Sequence, residues 1–188
     1  ISLVRKPTGK SHEKLKELCI DFENLEKEIK DLNADDVFIC LGTTIKKANT
    51  QENFKKVDLD YPIIIAKTLK QNGAKQLSVV SALGANADSK IFYNKIKGEM
   101  EDAMESLSYQ NTFIMQPSLL MGARNEFRFG EMVGQKLMCI IDPLMVGPAK
   151  KYRSINAFDV ASAMLALSNS SLTGLHKVES ESIKRLVK

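Results

Sequence analysis

The sequence is poor in the residues that hold metals or staple secreted folds. It has two histidines, His12 and His176, neither within ligand spacing of another donor. Its three cysteines, Cys19, Cys40 and Cys139, lie far apart, each within or beside an apolar segment. Thiols scattered in this way read as buried free cysteines in a reducing compartment, not as a disulfide frame or a metal site. No apolar run reaches the roughly 20 residues that cross a bilayer, and no secretory leader is visible. These absences set the expectation of a cytoplasmic protein with no membrane partner. Charge of one sign is also missing. The net charge is +4, and pairs such as Lys46-Lys47, Lys55-Lys56 and Lys150-Lys151 are spread along the chain. That is how solvated faces look, so no nucleic-acid partner is expected.

What remains is ordinary globular material. At 188 residues, 44% hydrophobic and 27% charged, the chain fits one domain over residues 1–188 with a real core. Residues 1–4 read as a strand, followed by Arg5, Lys6 and Pro7 at its end and a turn at residues 8–11. Residues 12–18 have the makings of a short polar helix, and residues 19–22 of a strand with Asp21 and Phe22 at its tip. Leu25, Ile29 and Leu32 take amphipathic helical spacing. Residues 36–41 are a continuous apolar strand of the kind covered on both faces in a parallel sheet. Residues 52–72 are helical in pattern, with Val57, Tyr61, Ile64, Ile65 and Leu69 on the apolar side, Pro62 as a kink or first turn, and Gly73 as the stop. A strand at 76–81, a long helix from Phe92, a strand at 111–116 and a helix at 126–138 follow. Cys139 to residue 141 is a brief apolar segment. Asn156 and Asp159 form a helix-start pair before residues 160–167. Residues 174–178 make a last strand before a basic tail. Strands alternating with helices on short loops predict an α/β fold with a parallel sheet.

Ligands gather at the carboxyl ends of strands in such folds. Arg5, Asp21, Gly42-Thr43-Thr44, Ser81 and Pro117-Ser118 all fall at those ends. Tyr93 and Lys97 are four apart, which stacks them on one helix face. A serine hydroxyl at a strand tip, beside a tyrosine stacked on a lysine, is a proton-transfer arrangement. The lysine charge favours phenolate and lowers the tyrosine pKa, and the serine holds a substrate oxygen.

The ordered set Cys40-Leu41-Gly42-Thr43-Thr44, Val57-Asp58-Leu59-Asp60-Tyr61, Ser81 with Gly84-Ala85, Tyr93-x-x-x-Lys97-Gly98-Glu99, and Gln116-Pro117-Ser118-Leu119-Leu120 resembles the short-chain dehydrogenase/reductase superfamily. The likeness is to its atypical branch of Tat-interacting-protein-like and nucleotide-sugar-epimerase-like proteins, over roughly residues 1–167. The resemblance implies a Rossmann-like, doubly wound, three-layer sheet and an NADP-dependent oxidoreductase or epimerase-like enzyme acting on a small carbonyl or hydroxyl compound. In that reading Tyr93 is the general acid/base, Lys97 lowers its pKa and holds the nicotinamide ribose, and Ser81 orients the substrate. Leu41, Gly42, Thr43, Thr44, Gln116, Pro117, Ser118 and Leu119 border the cofactor. Arg5, with Lys6, pairs with a 2′-phosphate and favours NADP over NAD, and Asp21 and Phe22 lie near the adenine.

The sequence departs from that family in three places. The opening strand, glycine-rich loop and helix are absent, Gly9 being the one glycine before Gly42. About thirty upstream residues are therefore expected to be missing, leaving unpaired strand edges beside residues 1–4. Ala82 stands where relatives carry a second serine, and Gln116 where a basic residue is frequent. Residues 122–155 leave room for only a small substrate-side region, which weakens a strict sugar-nucleotide enzyme. The alternative is a non-catalytic dinucleotide-binding regulator or redox sensor acting through a protein partner. The long helix after Tyr93 offers a face for a homodimer.

Overall fold

Residues 1–121, 142 and 145–187 are described by the structure, a computed structural model. Its centre is a parallel sheet of β3 (Asp36–Ile39), β4 (Gln76–Val80), β5 (Asn111–Gln116) and β8 (Gly174–Glu179), in the order β3-β4-β5-β8. A separate parallel pair joins β1 (Ser2–Val4) to β2 (Glu17–Cys19) in the register Ser2↔Glu17, Leu3↔Leu18, Val4↔Cys19. A third pair, β6 (Leu120–Met121) with β7 (Ile155–Asn156), follows β5.

Alternation along β5 explains the layering. Ile114 faces one core with Leu77 and Val79 of β4, while Phe113 and Met115 face the other, as the two-residue strand period requires. The first core is closed by α1 (Leu25–Ile29), α4 (Tyr61–Gln71) and α5 (Phe92–Ser106), through Leu25, Ile65, Leu69, Met100 and Met104. The second is closed by α6 (Ala157–Ser168) and α7 (Ser180–Leu186), through Val160, Met164, Leu167 and Ile183. Helices on both faces of a parallel sheet give the three-layer α/β architecture expected from the sequence. The outward side of α5 carries Lys95, Asp102, Glu105 and Ser106, a charged face.

Several local expectations change. Residues 12–18 are not a helix. Glu17 and Leu18 are drawn into β2 by pairing with β1, and the Glu17 carboxylate caps the preceding loop by accepting from the Thr8 backbone N–H at 3.0 Å. Asp21 then starts a 3₁₀ turn at Phe22–Asn24 and is not at a strand tip. β3 is covered on one face only, because Phe38 on the other is 45% exposed. The basic tail is helix α7. Cys19 and Cys40, expected to be buried, are exposed, because each lies at the end of a short strand. Two short helices, α2 (Ile45–Ala48) and α3 (Gln51–Lys55), were not separately anticipated; Thr44 and Thr50 cap them. The anticipated helix at 126–138 and apolar segment at 139–141 lie outside the described residues.

The helix expected over 52–72 is continuous but contains a π turn, Lys56–Asp60, between α3 and α4. There the Tyr61 N–H reaches back five residues to the Lys56 carbonyl. Pro62 has no N–H to give to the turn before it, and the helix widens there without breaking. Such widened turns recur at functional sites because they re-aim side chains.

β1 and β3 do not pair with each other. They face one another across an apolar cavity of about 610 Å³, lined by Ile1, Leu3, Phe22, Val37, Ile39 and Ile65. The unpaired edges anticipated from the sequence lie beside it.

Candidate active site

β3, β4 and β5 end at the same level, so the segments after them share one rim. Leu41 to Thr44 leave β3 and Ser81 leaves β4. Helix α5 begins at Phe92 and brings Tyr93 and Lys97 over the gap, on successive turns of one face. Gly42, Thr43, Thr44, Ser81, Tyr93 and Lys97 line a cleft of about 380 Å³, together with Asp58. Ser81, Tyr93 and Lys97, which the sequence placed on two different elements, therefore line one cleft.

Lys97 is almost wholly buried, at 6% side-chain exposure, and its ammonium lies 2.9 Å from the Asp58 carboxylate, itself 1% exposed. The second Asp58 oxygen accepts from the Thr43 backbone N–H at 2.8 Å. The π turn thus delivers a carboxylate that pins both the lysine and the loop after β3. Removing one partner of such a buried pair costs about 3–5 kcal/mol, because the other charge is left stranded. Gly42 runs so near that a β-carbon there would sit 3.4 Å from Asp58 Oδ1.

Tyr93 packs its ring on Phe54, with centroids 5.9 Å apart. The sequence led us to expect a lowered Tyr93 pKa. The structure gives the reverse. Burial pushes the phenol up, and the Asp58 charge pushes it further in the same direction. Burial is the larger cause, and the Lys97 ammonium expected to oppose it is paired with Asp58.

Ser81 is 4% exposed and donates its hydroxyl to Glu101 Oε1 at 2.5 Å. Gln116 donates to both Glu101 oxygens at 3.0 Å, and Lys177 from β8 approaches Oε2 at 3.3 Å. Ser81, Gln116 and Lys177 thus converge on the Glu101 carboxylate as donors. Ser81 then offers the cleft its lone pairs. The basic residue missed at Gln116 is replaced in space by Lys177. Neither Asp58 nor Glu101 was given a role from the sequence. The available signals were a carboxylate in the apolar stripe with Tyr61 and Ile65, and the i, i+4, i+8 alignment of Tyr93, Lys97 and Glu101.

The remaining candidates stand apart from this cleft. Arg5 lays its guanidinium over the Phe22 ring, 5.2 Å from the centroid. Phe22 is a core residue that packs against Tyr61, and Lys6 is exposed. Asp21 accepts from the Glu23 N–H and the Asn24 side chain, at 2.9 and 2.7 Å, and the former bond holds its carboxyl below the usual range. The Pro117 carbonyl accepts from Leu83 N–H. Ser118 bonds Ser180 and the Arg153 carbonyl, which ties the β5 end to α7. The Leu119 side chain is 47% exposed, and its carbonyl accepts from Ile155.

No family model matches the chain. Among curated proteins, FMP52 of Candida albicans, named a mitochondrial protein, is 44% identical over 94 residues, covering 50% of this chain and 41% of that protein. HTATIP2 of Rattus norvegicus is 36% identical over 118 residues, 62% of this chain and 48% of that protein. The chain spans about half the length of the curated relatives it matches. Among solved structures, MoeE5 in complex with UDP-glucose and NAD superposes with a TM-score of 0.66 at 12% identity, over 96% of this chain and 70% of that one. The UDP-glucose 4-epimerase of Thermotoga maritima gives 0.64 at 14% identity, over 98% and 72%. The dTDP-4-dehydrorhamnose reductase of Bacillus anthracis, in complex with NADP, gives 0.58 at 14%, over 88% and 66%. At these identities the structures speak to the fold.

The mitochondrial names overturn the cytoplasmic expectation. Scattered free thiols and a lack of long apolar runs describe folding chemistry, whereas an organelle address is a separate signal read by a receptor. Among the described residues no helix is long and apolar enough to cross a membrane. With this fold and these relatives, the chain resembles the atypical short-chain dehydrogenase/reductases of the nucleoside-diphosphate-sugar-epimerase-like kind.

Proposed function

We propose that this chain forms the substrate side of a nicotinamide-dinucleotide oxidoreductase acting on a small carbonyl or hydroxyl compound. The observation that carries the reading is the convergence of Ser81, Tyr93 and Lys97 on the cleft behind Gly42. Tyr93 exchanges a proton with the substrate oxygen. Ser81 accepts from a substrate hydroxyl through its lone pairs. One N–H of Lys97 is committed to Asp58, and an ammonium has two more for a ribose.

The residues present suit the nicotinamide end of a dinucleotide: a buried cation, a phenol and a loop in which Gly42 leaves the backbone bare. When bound, the dinucleotide supplies or takes up the hydride. Arg5 supports NADP over NAD, since a guanidinium meets a 2′-phosphate with two donors. Its test is Arg5→Ala, which should weaken NADPH binding by about tenfold or more and leave NADH binding within about twofold. The names of the curated relatives support a mitochondrial location.

The test of the main reading is NADPH and NADH binding by calorimetry, followed by a screen of small aldehydes and ketones, with Tyr93→Phe as the control. A second reading, a dinucleotide-loaded regulator, is favoured by the inward commitment of Ser81 and Lys97. Tight dinucleotide binding with no turnover on any carbonyl would move the assignment to it.

A further inference from the structure

We propose that Glu101 is a positioning residue that holds the Ser81 hydroxyl as a fixed hydrogen-bond acceptor, so that the cleft selects carbonyl compounds that also carry a hydroxyl over plain carbonyls. The inference deepens the proposed function by naming a substrate class for the same site, and rests on it for the reaction.

A serine side chain has one proton to give and two lone pairs to offer. The Ser81 proton goes to Glu101 Oε1 at 2.5 Å, well inside the protein, where Ser81 is 4% and Glu101 2% exposed. A hydroxyl bonded to a carboxylate makes a bond roughly twice as strong as one between neutral groups, so a neutral ligand does not draw the proton away. The serine backbone is fixed as well, its N–H donating to the Met115 carbonyl at 2.8 Å.

Glu101 is itself held in place. Gln116 at the end of β5 donates to both carboxylate oxygens at 3.0 Å, and Lys177 of β8 lies 3.3 Å from Oε2. The carboxylate is gripped from β5 and β8 while it receives the residue that follows β4. Tyr93, Lys97 and Glu101 stand on successive turns of α5, so the helix that presents the phenol also sets the serine.

What Ser81 offers the cleft is therefore oxygen lone pairs. Tyr93 brings a phenol to the same cleft. A donor and an acceptor in one cleft fit a ligand with the opposite pair, a carbonyl oxygen for Tyr93 and a hydroxyl for Ser81. A ligand with a carbonyl alone sets carbon or a second acceptor against the Ser81 lone pairs and leaves them unpaired, the situation by which enzyme sites reject analogues that lack a hydroxyl.

The test uses hydroxyacetone and butanone, which match in size and differ by a hydroxyl against a methyl. Binding of each to the protein is titrated by saturation-transfer NMR, with and without oxidised dinucleotide, so that no turnover intervenes. Hydroxyacetone should bind about tenfold or more tightly than butanone. Ser81→Ala should abolish the preference by weakening hydroxyacetone alone. Glu101→Gln should abolish it too, by another route: Lys177 draws the amide oxygen, the amide nitrogen then donates to Ser81, and the serine proton is released to the cleft. A purely structural role for Glu101 would weaken both ketones together and leave their ratio unchanged. Failure of hydroxyacetone to bind, or equal binding of the two ketones by the unaltered protein, would overturn the proposal even if neither variant folds. A preference that survives in folded Glu101→Gln would do the same. An intact preference without dinucleotide-dependent turnover of hydroxyacetone would defeat the oxidoreductase reading and leave the role of Glu101 standing.

Discussion

Gly98 lies directly against the peptide joining Asn86 to Ala87. A β-carbon at Gly98 would come within 2.1 Å of the Ala87 nitrogen and 2.2 Å of the Asn86 carbonyl carbon. The Asn86 N–H also donates to the Asn94 carbonyl at 3.0 Å. The loop that continues from Ser81 is thereby clamped onto the helix that carries Tyr93 and Lys97. Close approach of two backbones is what glycine permits and no other residue does.

Gly98→Ala should therefore destabilise the protein by about 3 kcal/mol, at the upper end for overpacking, because backbone cannot move aside as a flexible side chain does. Gly42→Ala is the contrast. Its β-carbon would make an ordinary 3.4 Å contact with Asp58, so stability should change by less than about 1 kcal/mol. Urea unfolding of the two variants checks both. Equal losses would contradict the account of Gly98.

Glu101 should depend on Lys177 for its charge balance. Lys177→Met leaves the carboxylate with the neutral donors Ser81 and Gln116, and should cost roughly 1 kcal/mol, discounted because the Lys177 side chain is 41% exposed. Adding Gln116→Arg should restore most of that loss, since a guanidinium supplies both charge and paired donors. A double-mutant cycle by chemical denaturation reads the coupling. Strictly additive effects would contradict the network.

Stability should fall in alkali. Tyr109 donates its hydroxyl to the Ala66 carbonyl at 2.6 Å, and burial pushes its pKa well above the ordinary 10.0. A folded-state pKa above the unfolded one means that the native state holds the proton more tightly. The contribution is complete below pH about 10 and is lost as pH rises from there toward the folded pKa. Thermal melts of the protein and of Tyr109→Phe should both show this. The unaltered protein loses stability steeply above pH about 10, and the variant, less stable at neutral pH, declines less.

Much of the architecture was legible because its signals are local. The apolar run at 111–116 became β5 over the same residues, and the helix expected near Phe92 begins there. Asn156 caps α6 by accepting from Phe158 N–H at 2.9 Å, as the spacing to Asp159 suggested. What failed depended on partners distant in sequence. Residues 17–19 are a strand because β1 is beside them, and a seven-residue helix had too little of its own stability to compete. The assembly of Ser81, Tyr93 and Lys97 followed from strand ends and helical spacing. The electrostatics did not, because they turn on Asp58 and Glu101, whose positions opposite Lys97 and Ser81 exist only once the layers have packed. A carboxylate within an apolar stripe was the visible clue, and such residues more often lie at a helix edge in solvent.

The central claim is that Tyr93 exchanges the proton in a carbonyl–alcohol reaction supported by a nicotinamide dinucleotide. The most direct measurement is the steady-state rate of NAD(P)H-dependent reduction of a responsive small carbonyl by the protein and by Tyr93→Phe, with dinucleotide affinity measured in parallel. The account predicts a loss of about 10²–10⁴-fold in kcat, the range for a positioned general acid, with dinucleotide affinity within about twofold. Undiminished turnover in Tyr93→Phe would contradict it.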